Sequence, residues 1–136
     1  MSKKKVKNTS IVITVIILRT FSSVLIVINP LLGLIIYLIF DHFDAYFLEY
    51  KAGLNLNEYQ QLDKKLDWLG IGAMFIVLRN YYSPCLLLIP IGYRLIGQIL
   101  FMVNRKQSTL IYFPNFFEAF FVWFVFFRSF DTNYFW

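Results

Sequence analysis

The chain has 136 residues, of which 59% are hydrophobic, 21% aromatic and only 15% charged, with a mean hydropathy of +0.61. An ordinary soluble domain carries roughly 25% charged residues, so the composition excludes one and points to an integral membrane protein. The net charge of +5 lies in short polar segments between apolar runs, where membrane topology accounts for it without nucleic acid, and one cysteine excludes both a disulfide framework and a Cys-rich zinc site.

Crossing about 30 Å of hydrocarbon takes about 20 helical residues. That ruler divides the chain into five predicted spans, at roughly 10–29, 30–50, 60–79, 84–103 and 110–130. The expected fold is an all-α, integral membrane helical bundle forming one domain over residues 1–136. The first span follows the charged opening MSKKKVK; it contains Arg19 and has no small-residue cleavage site, so it reads as a retained helix rather than a signal peptide. Residues 11–40 are almost continuously apolar, and Asn29-Pro30 is the strongest breaker within them. Either the chain turns there as a hairpin, or 20–40 forms a single span. Positive charge favours the hairpin with a cytoplasmic N-terminus. Lys3, Lys4, Lys5, Lys7, Lys51, Lys64, Lys65, Arg105 and Lys106 then lie inside, against Arg79 and Arg128 outside.

The second span raises the chemical question. Leu31–Phe40 covers only about 15 Å of helix, so the helix must continue through DHFDAYFLEY and submerge Asp41 and Asp44. The window 41–67 holds six of the chain's eight acids: Asp41, Asp44, Glu49, Glu58, Asp63 and Asp67. Counted at 1.5 Å per residue, Asp41 lies about 15 Å and Asp44 about 10 Å below Lys51, and Asp67 about 13 Å from Glu58. Arg19 in the first span, Arg94 in the fourth and Glu118 in the fifth fall at similar depths, about 16–18 Å from their polar flanks.

Charges at such depth face an interior and have partners. Asp41, Asp44, Asp63, Asp67 and Glu118 outnumber Arg19 and Arg94, and one or two divalent cations would offset the excess while using several carboxylate oxygens. Hard oxygen ligands without convergent His or Cys suit Mg²⁺ or Mn²⁺. Asp41 and Asp44 stand at i,i+3 and Asp63 and Asp67 at i,i+4, so each pair shares one helix face. Two antiparallel helices opposing those faces form an arrangement that holds diphosphate through metal.

These residues resemble the CDP-alcohol phosphotransferase family, whose motif D-x2-D-G-x2-A-R-x8-G-x3-D-x3-D lies across two membrane helices. Here Asp41-x2-Asp44-Ala45 is followed by Asp63-x3-Asp67, with Asp63 coming 19 positions after Asp44 where the motif has about 18. The motif's first glycine falls on Ala45, its A-R pair on Leu48 and Glu49, and its second glycine on Tyr59. The resemblance covers about residues 30–75 and implies an Mg²⁺- or Mn²⁺-dependent transferase that moves a phosphoalcohol group from a CDP-activated lipid or alcohol to a hydroxyl, releasing CMP. It implies metal binding by Asp41, Asp44, Asp63 and Asp67, with Asp67 also the general base; Arg19, Lys51 and Arg94 are candidate cations for the substrate phosphates. The implied partners are the lipid bilayer and the CDP-activated substrate, with room for a homodimer. The alternative is a non-catalytic small membrane subunit, a scaffold or an ion- or proton-coupled translocator built on buried acids. Membrane prenyltransferases also hold diphosphate on two Asp-rich motifs, but in chains about twice as long.

Three residues have plainer expectations. His42 is expected to pack or to support the acids, Glu118 to be a buried hydrogen-bonded carboxyl, and Cys85 to be a small buried apolar residue. The aromatic tail from Phe116 to Trp136 reads as a lipid-facing span ending in an interfacial belt.

Overall fold

A computed structural model describes residues 8–104 and 111–130. Among these, every regular element is helical: α1 (Thr9–Ile28), α2 (Pro30–Ala45) continued by a π-helical turn (Tyr46–Lys51), α3 (Leu56–Leu78), α4 (Pro84–Asn104) and α5 (Phe116–Phe130). Three are long and apolar enough to cross a membrane: α1, α2 with its π turn (Pro30–Lys51), and α4. Of the two other expected spans, α3 has the length but carries Glu58, Asp63, Lys64, Lys65 and Asp67 in its first half. Helix α5 has 15 residues, about 22 Å, because Pro114 and Asn115 delay its start to Phe116. The chain packs as two compact units that divide between Gly70 and Ile71.

In the first unit the chain turns at Asn29, as the hairpin reading requires. The Asn29 side chain accepts a hydrogen bond from the Leu32 amide at 3.1 Å, and Pro30 fills the first helical position, where no amide hydrogen is needed. The arms close because Gly33 brings α2 against the backbone of Leu25 and Ile26, leaving no room for a Cβ. Buried positions recur every three or four residues: Val15, Arg19, Ser22, Ser23 and Ile26 on α1, and Gly33, Leu34, Tyr37 and Asp44 on α2. The interior is therefore partly polar while Ile17, Phe21, Val24, Ile35 and Ile39 are exposed, the inverse of a water-soluble helix pair.

The π turn is absent from the expected single helix over 30–50. Its wider ring is closed by the Ala52 amide donating to the Phe47 carbonyl at 2.8 Å, and Gly53 at φ 72° ends it in the left-handed region. The Asn8 amide donates to the Ala52 carbonyl at 3.0 Å and ties the start of α1 to this turn. Helix α3 then opens on Asn55, whose amide donates to Glu58 Oε2 at 3.2 Å, one half of a capping box.

In the second unit, Ser83 and Pro84 start α4. Cys85, in its first turn, is exposed rather than buried as expected, because the buried stripe of α4 begins two residues later at Leu87. Tyr81 and Tyr82 meet Phe124 at 5.1 and 5.9 Å, and Arg128 stacks 4.0 Å over the Tyr81 ring. Phe117 and Phe121 of α5 are fully buried, while Phe116, Trp123, Phe126 and Phe127 stay exposed as a lipid-facing element requires. The tail beyond Phe130, with Lys3, Lys4, Lys5, Lys7, Arg105 and Lys106 of the charge pattern, lies outside the described residues.

Candidate functional site: an acid cluster threaded by an arginine

The hairpin sets the register of the site. Arg19 precedes Asn29 by ten residues and Asp41 follows it by twelve, so at 1.5 Å per residue the two lie about 15 and 18 Å along arms of nearly equal reach. They meet: Arg19 Nη1 donates to Asp41 Oδ1. Asp44, one turn further along α2, points the same way, as its i,i+3 spacing dictates. Helix α3 supplies the opposing face with Asp63 and Asp67.

The carboxylates of Asp41, Asp44 and Asp63 each offer an oxygen within 4.8 Å of the other two. Asp44 is the most enclosed, 2% exposed, and accepts from the Tyr59 hydroxyl at 3.3 Å. Its other oxygen, Oδ2, is buried without a hydrogen-bond partner, 3.7 Å from Arg19 Nε, which also lacks one. Asp67, the fourth predicted ligand, joins through cations. Its Oδ1 accepts from Arg19 Nη2 at 3.2 Å, and its Oδ2 lies 3.4 Å from Lys64 Nζ, which also pairs with Asp63 at 2.5 Å.

Arg19, 1% exposed, thus addresses three carboxylates through three different nitrogens. Its guanidinium also lies 4.8 Å from the centroid of the buried Tyr37 ring, and Tyr37 is backed by Gly70, where any Cβ would strike the ring. The Ser22 and Ser23 hydroxyls both donate to the Arg19 carbonyl at 2.9 Å, so these buried groups are satisfied within α1. Four carboxylates, those of Asp41, Asp44, Asp63 and Asp67, thus gather around Arg19 and Lys64. Hard carboxylate oxygens within 4.8 Å of one another, with a buried Asp44 Oδ2 that accepts no hydrogen bond, are a donor set that fits a divalent ion.

The other predicted site residues have contacts of their own. Lys51 is exposed, with its ammonium 5.9 Å over the Tyr46 ring. Arg94 belongs to the second unit, where it is buried and its Nη1 donates to the Phe113 carbonyl at 2.9 Å. Glu118 is hydrogen-bonded as expected, but half-buried rather than buried because it lies in the first turn of α5: it accepts from Asn115 Nδ2 at 2.7 Å, and its amide donates back to Asn115 Oδ1, a reciprocal cap that starts the helix. His42 is exposed and packs edge-on to Phe43. Sequence reasoning missed Lys64, Tyr59 and Tyr37 as members of the site. Lys64 was legible, since it sits three residues before Asp67 on the same helix, whereas Tyr37 carried no signal beyond its α2 stripe.

No protein-family model, curated protein or solved structure matches the chain. The likeness to CDP-alcohol phosphotransferases therefore rests on the aspartate spacing.

Proposed function

We propose that the chain is an Mg²⁺- or Mn²⁺-dependent membrane transferase that moves a phosphoalcohol group from a CDP-activated lipid or alcohol to a hydroxyl acceptor, with release of CMP. The observation that carries this is the approach of Asp41, Asp44 and Asp63 to within 4.8 Å in a unit with apolar outer faces. When bound, a divalent ion supplies charge neutralisation and orientation of the diphosphate. Asp41, Asp44 and Asp63 would hold it, and the Tyr59 hydroxyl fixes the Asp44 carboxylate by donating to it.

In the proposed step the acceptor oxygen bonds to the β-phosphorus while the bond from that phosphorus to the bridging oxygen breaks. CMP departs with the electron pair, and the hydroxyl proton passes to Asp67. Both Asp67 oxygens face cations, so Lys64 must move onto the incoming phosphate to release Oδ2 for the proton. The N-terminus and the acid cluster are assigned to the cytoplasmic side on the distribution of Lys and Arg. Purified protein in lipid nanodiscs should release CMP from a CDP-activated lipid only with Mg²⁺ or Mn²⁺, and Asp67→Asn should abolish it. Failure of the wild type to bind any cytidine nucleotide rules the reading out.

One observation favours a second reading: Arg19 already threads three of the carboxylates. A non-catalytic membrane subunit would use this network to lock its helices, and its stability would then be indifferent to divalent ions.

A further inference from the structure

We infer that Arg19 is a built-in competitor of the divalent ion at the acid cluster and passes to a diphosphate when metal and ligand arrive together, so that the two bind cooperatively. This rests on the proposed metal site and names what that site demands of its ligand: a diphosphate group. The geometry leads there from the carboxylates outward. Arg19 Nη1 is on Asp41 and Nε faces Asp44 Oδ2, so the guanidinium draws on two of the three carboxylates that lie within 4.8 Å of one another. A metal entering alone must share Asp41 and Asp44 with a cation that has nowhere else to go. Arg19 is 1% exposed, its flank is closed by the Tyr37 ring, and water cannot replace the carboxylates.

A diphosphate removes that conflict. Each of its tetrahedral phosphates offers a pair of acceptor oxygens that a guanidinium fork can span, and Asp41 and Asp44, once released by Arg19, would be free to hold a metal that supplies charge neutralisation to the same diphosphate. Nε, buried without a hydrogen bond, is the donor that gains a partner in the exchange. Arg19 is thus a ligand-binding residue that also controls access of the metal to Asp41 and Asp44. A ligand with one phosphate accepts the fork but leaves less charge for the metal, so the coupling should rank diphosphate above monophosphate.

Mn²⁺ binding to the full chain in nanodiscs, followed by electron paramagnetic resonance at fixed free Mn²⁺, tests this with and without inorganic pyrophosphate. For the wild type, pyrophosphate should tighten Mn²⁺ at least about 5-fold, within the usual range of coupling between sites. Arg19→Gln should bind Mn²⁺ tighter than wild type without pyrophosphate and lose the coupling. Arg19→Lys, which keeps the charge and serves if the glutamine variant does not fold, should weaken the coupling without abolishing it. CDP in place of pyrophosphate separates the ligand sources: stronger coupling with CDP assigns a nucleotide, and equal coupling assigns a diphosphate without a nucleotide requirement. Wild-type Mn²⁺ binding that ignores pyrophosphate, or Arg19 variants that bind and couple as wild type does, overturns the inference alone. No Mn²⁺ bound under any condition instead removes the metal site on which it stands.

Discussion

Arg19→Met is the perturbation that bears most directly on the acid cluster. The substitution keeps much of the side chain's length and removes the charge from a position 1% exposed. At an effective dielectric of about 20, each of the pairs at 3.2 and 3.7 Å corresponds to roughly 5 kcal/mol of Coulomb attraction, before desolvation takes most of it back. Removing one partner leaves the other charges buried and unmatched, which costs about 3–5 kcal/mol. The lower end applies to Asp41, whose side chain is 37% exposed and can be rehydrated, and the upper end to Asp44 at 1%. Equilibrium unfolding in mixed micelles, in EDTA, should show that loss. Mn²⁺ at 100 times its dissociation constant should then return about 2.7 kcal/mol, since a ligand that binds only the folded state stabilises by mass action. A loss below about 1 kcal/mol in EDTA would refute the ion-pair reasoning. A full loss that Mn²⁺ does not offset would refute the metal site and leave a purely structural network.

Replacing the Arg19–Asp44 pair together, as Arg19→Met with Asp44→Leu, should recover most of the stability lost by Arg19→Met alone, because well-packed apolar groups often match a buried ion pair; the same unfolding measurement reads it. Gly33→Ala should cost about 1–3 kcal/mol, because the new Cβ meets the Ile26 backbone, which cannot rotate aside. Gly72→Ala, a helical glycine with nothing within 4 Å of the added Cβ, should instead gain about 0.5–1 kcal/mol, and equal effects of the two would refute the close approach at Gly33. Asn29→Ala removes the side-chain cap of α2 and should destabilise by about 1 kcal/mol in the same assay. For topology, a cysteine introduced by Asn57→Cys in a Cys85→Ser background should react with an impermeant maleimide from the side that the proposed orientation makes cytoplasmic, and labelling from the opposite side alone defeats that orientation.

The sequence by itself determined the helical, lipid-compatible character of the chain, because apolar runs interrupted by polar segments leave helices as the way to satisfy the backbone. It favoured the turn at Asn29-Pro30 over a single span across 20–40, and it set the pairing of aspartates on single faces, since capping, proline geometry and helical spacing act within a few residues. The π turn lay beyond it: an extra residue per turn is held by packing of Leu48 and Ala52 and by the Asn8 tie, not by a composition signal. Only the tertiary structure decided which cation the acids receive. Arg19 and Lys51 had equal standing in the sequence, and Arg19 rather than Lys51 meets the acids because the hairpin returns α2 beside it and α3 closes over it. Its contacts reach Asp41 and Asp67 across 22 and 48 residues. A buried ion pair is set by where helices cross, and close approach at Gly33 and Gly70 fixes that crossing in three dimensions.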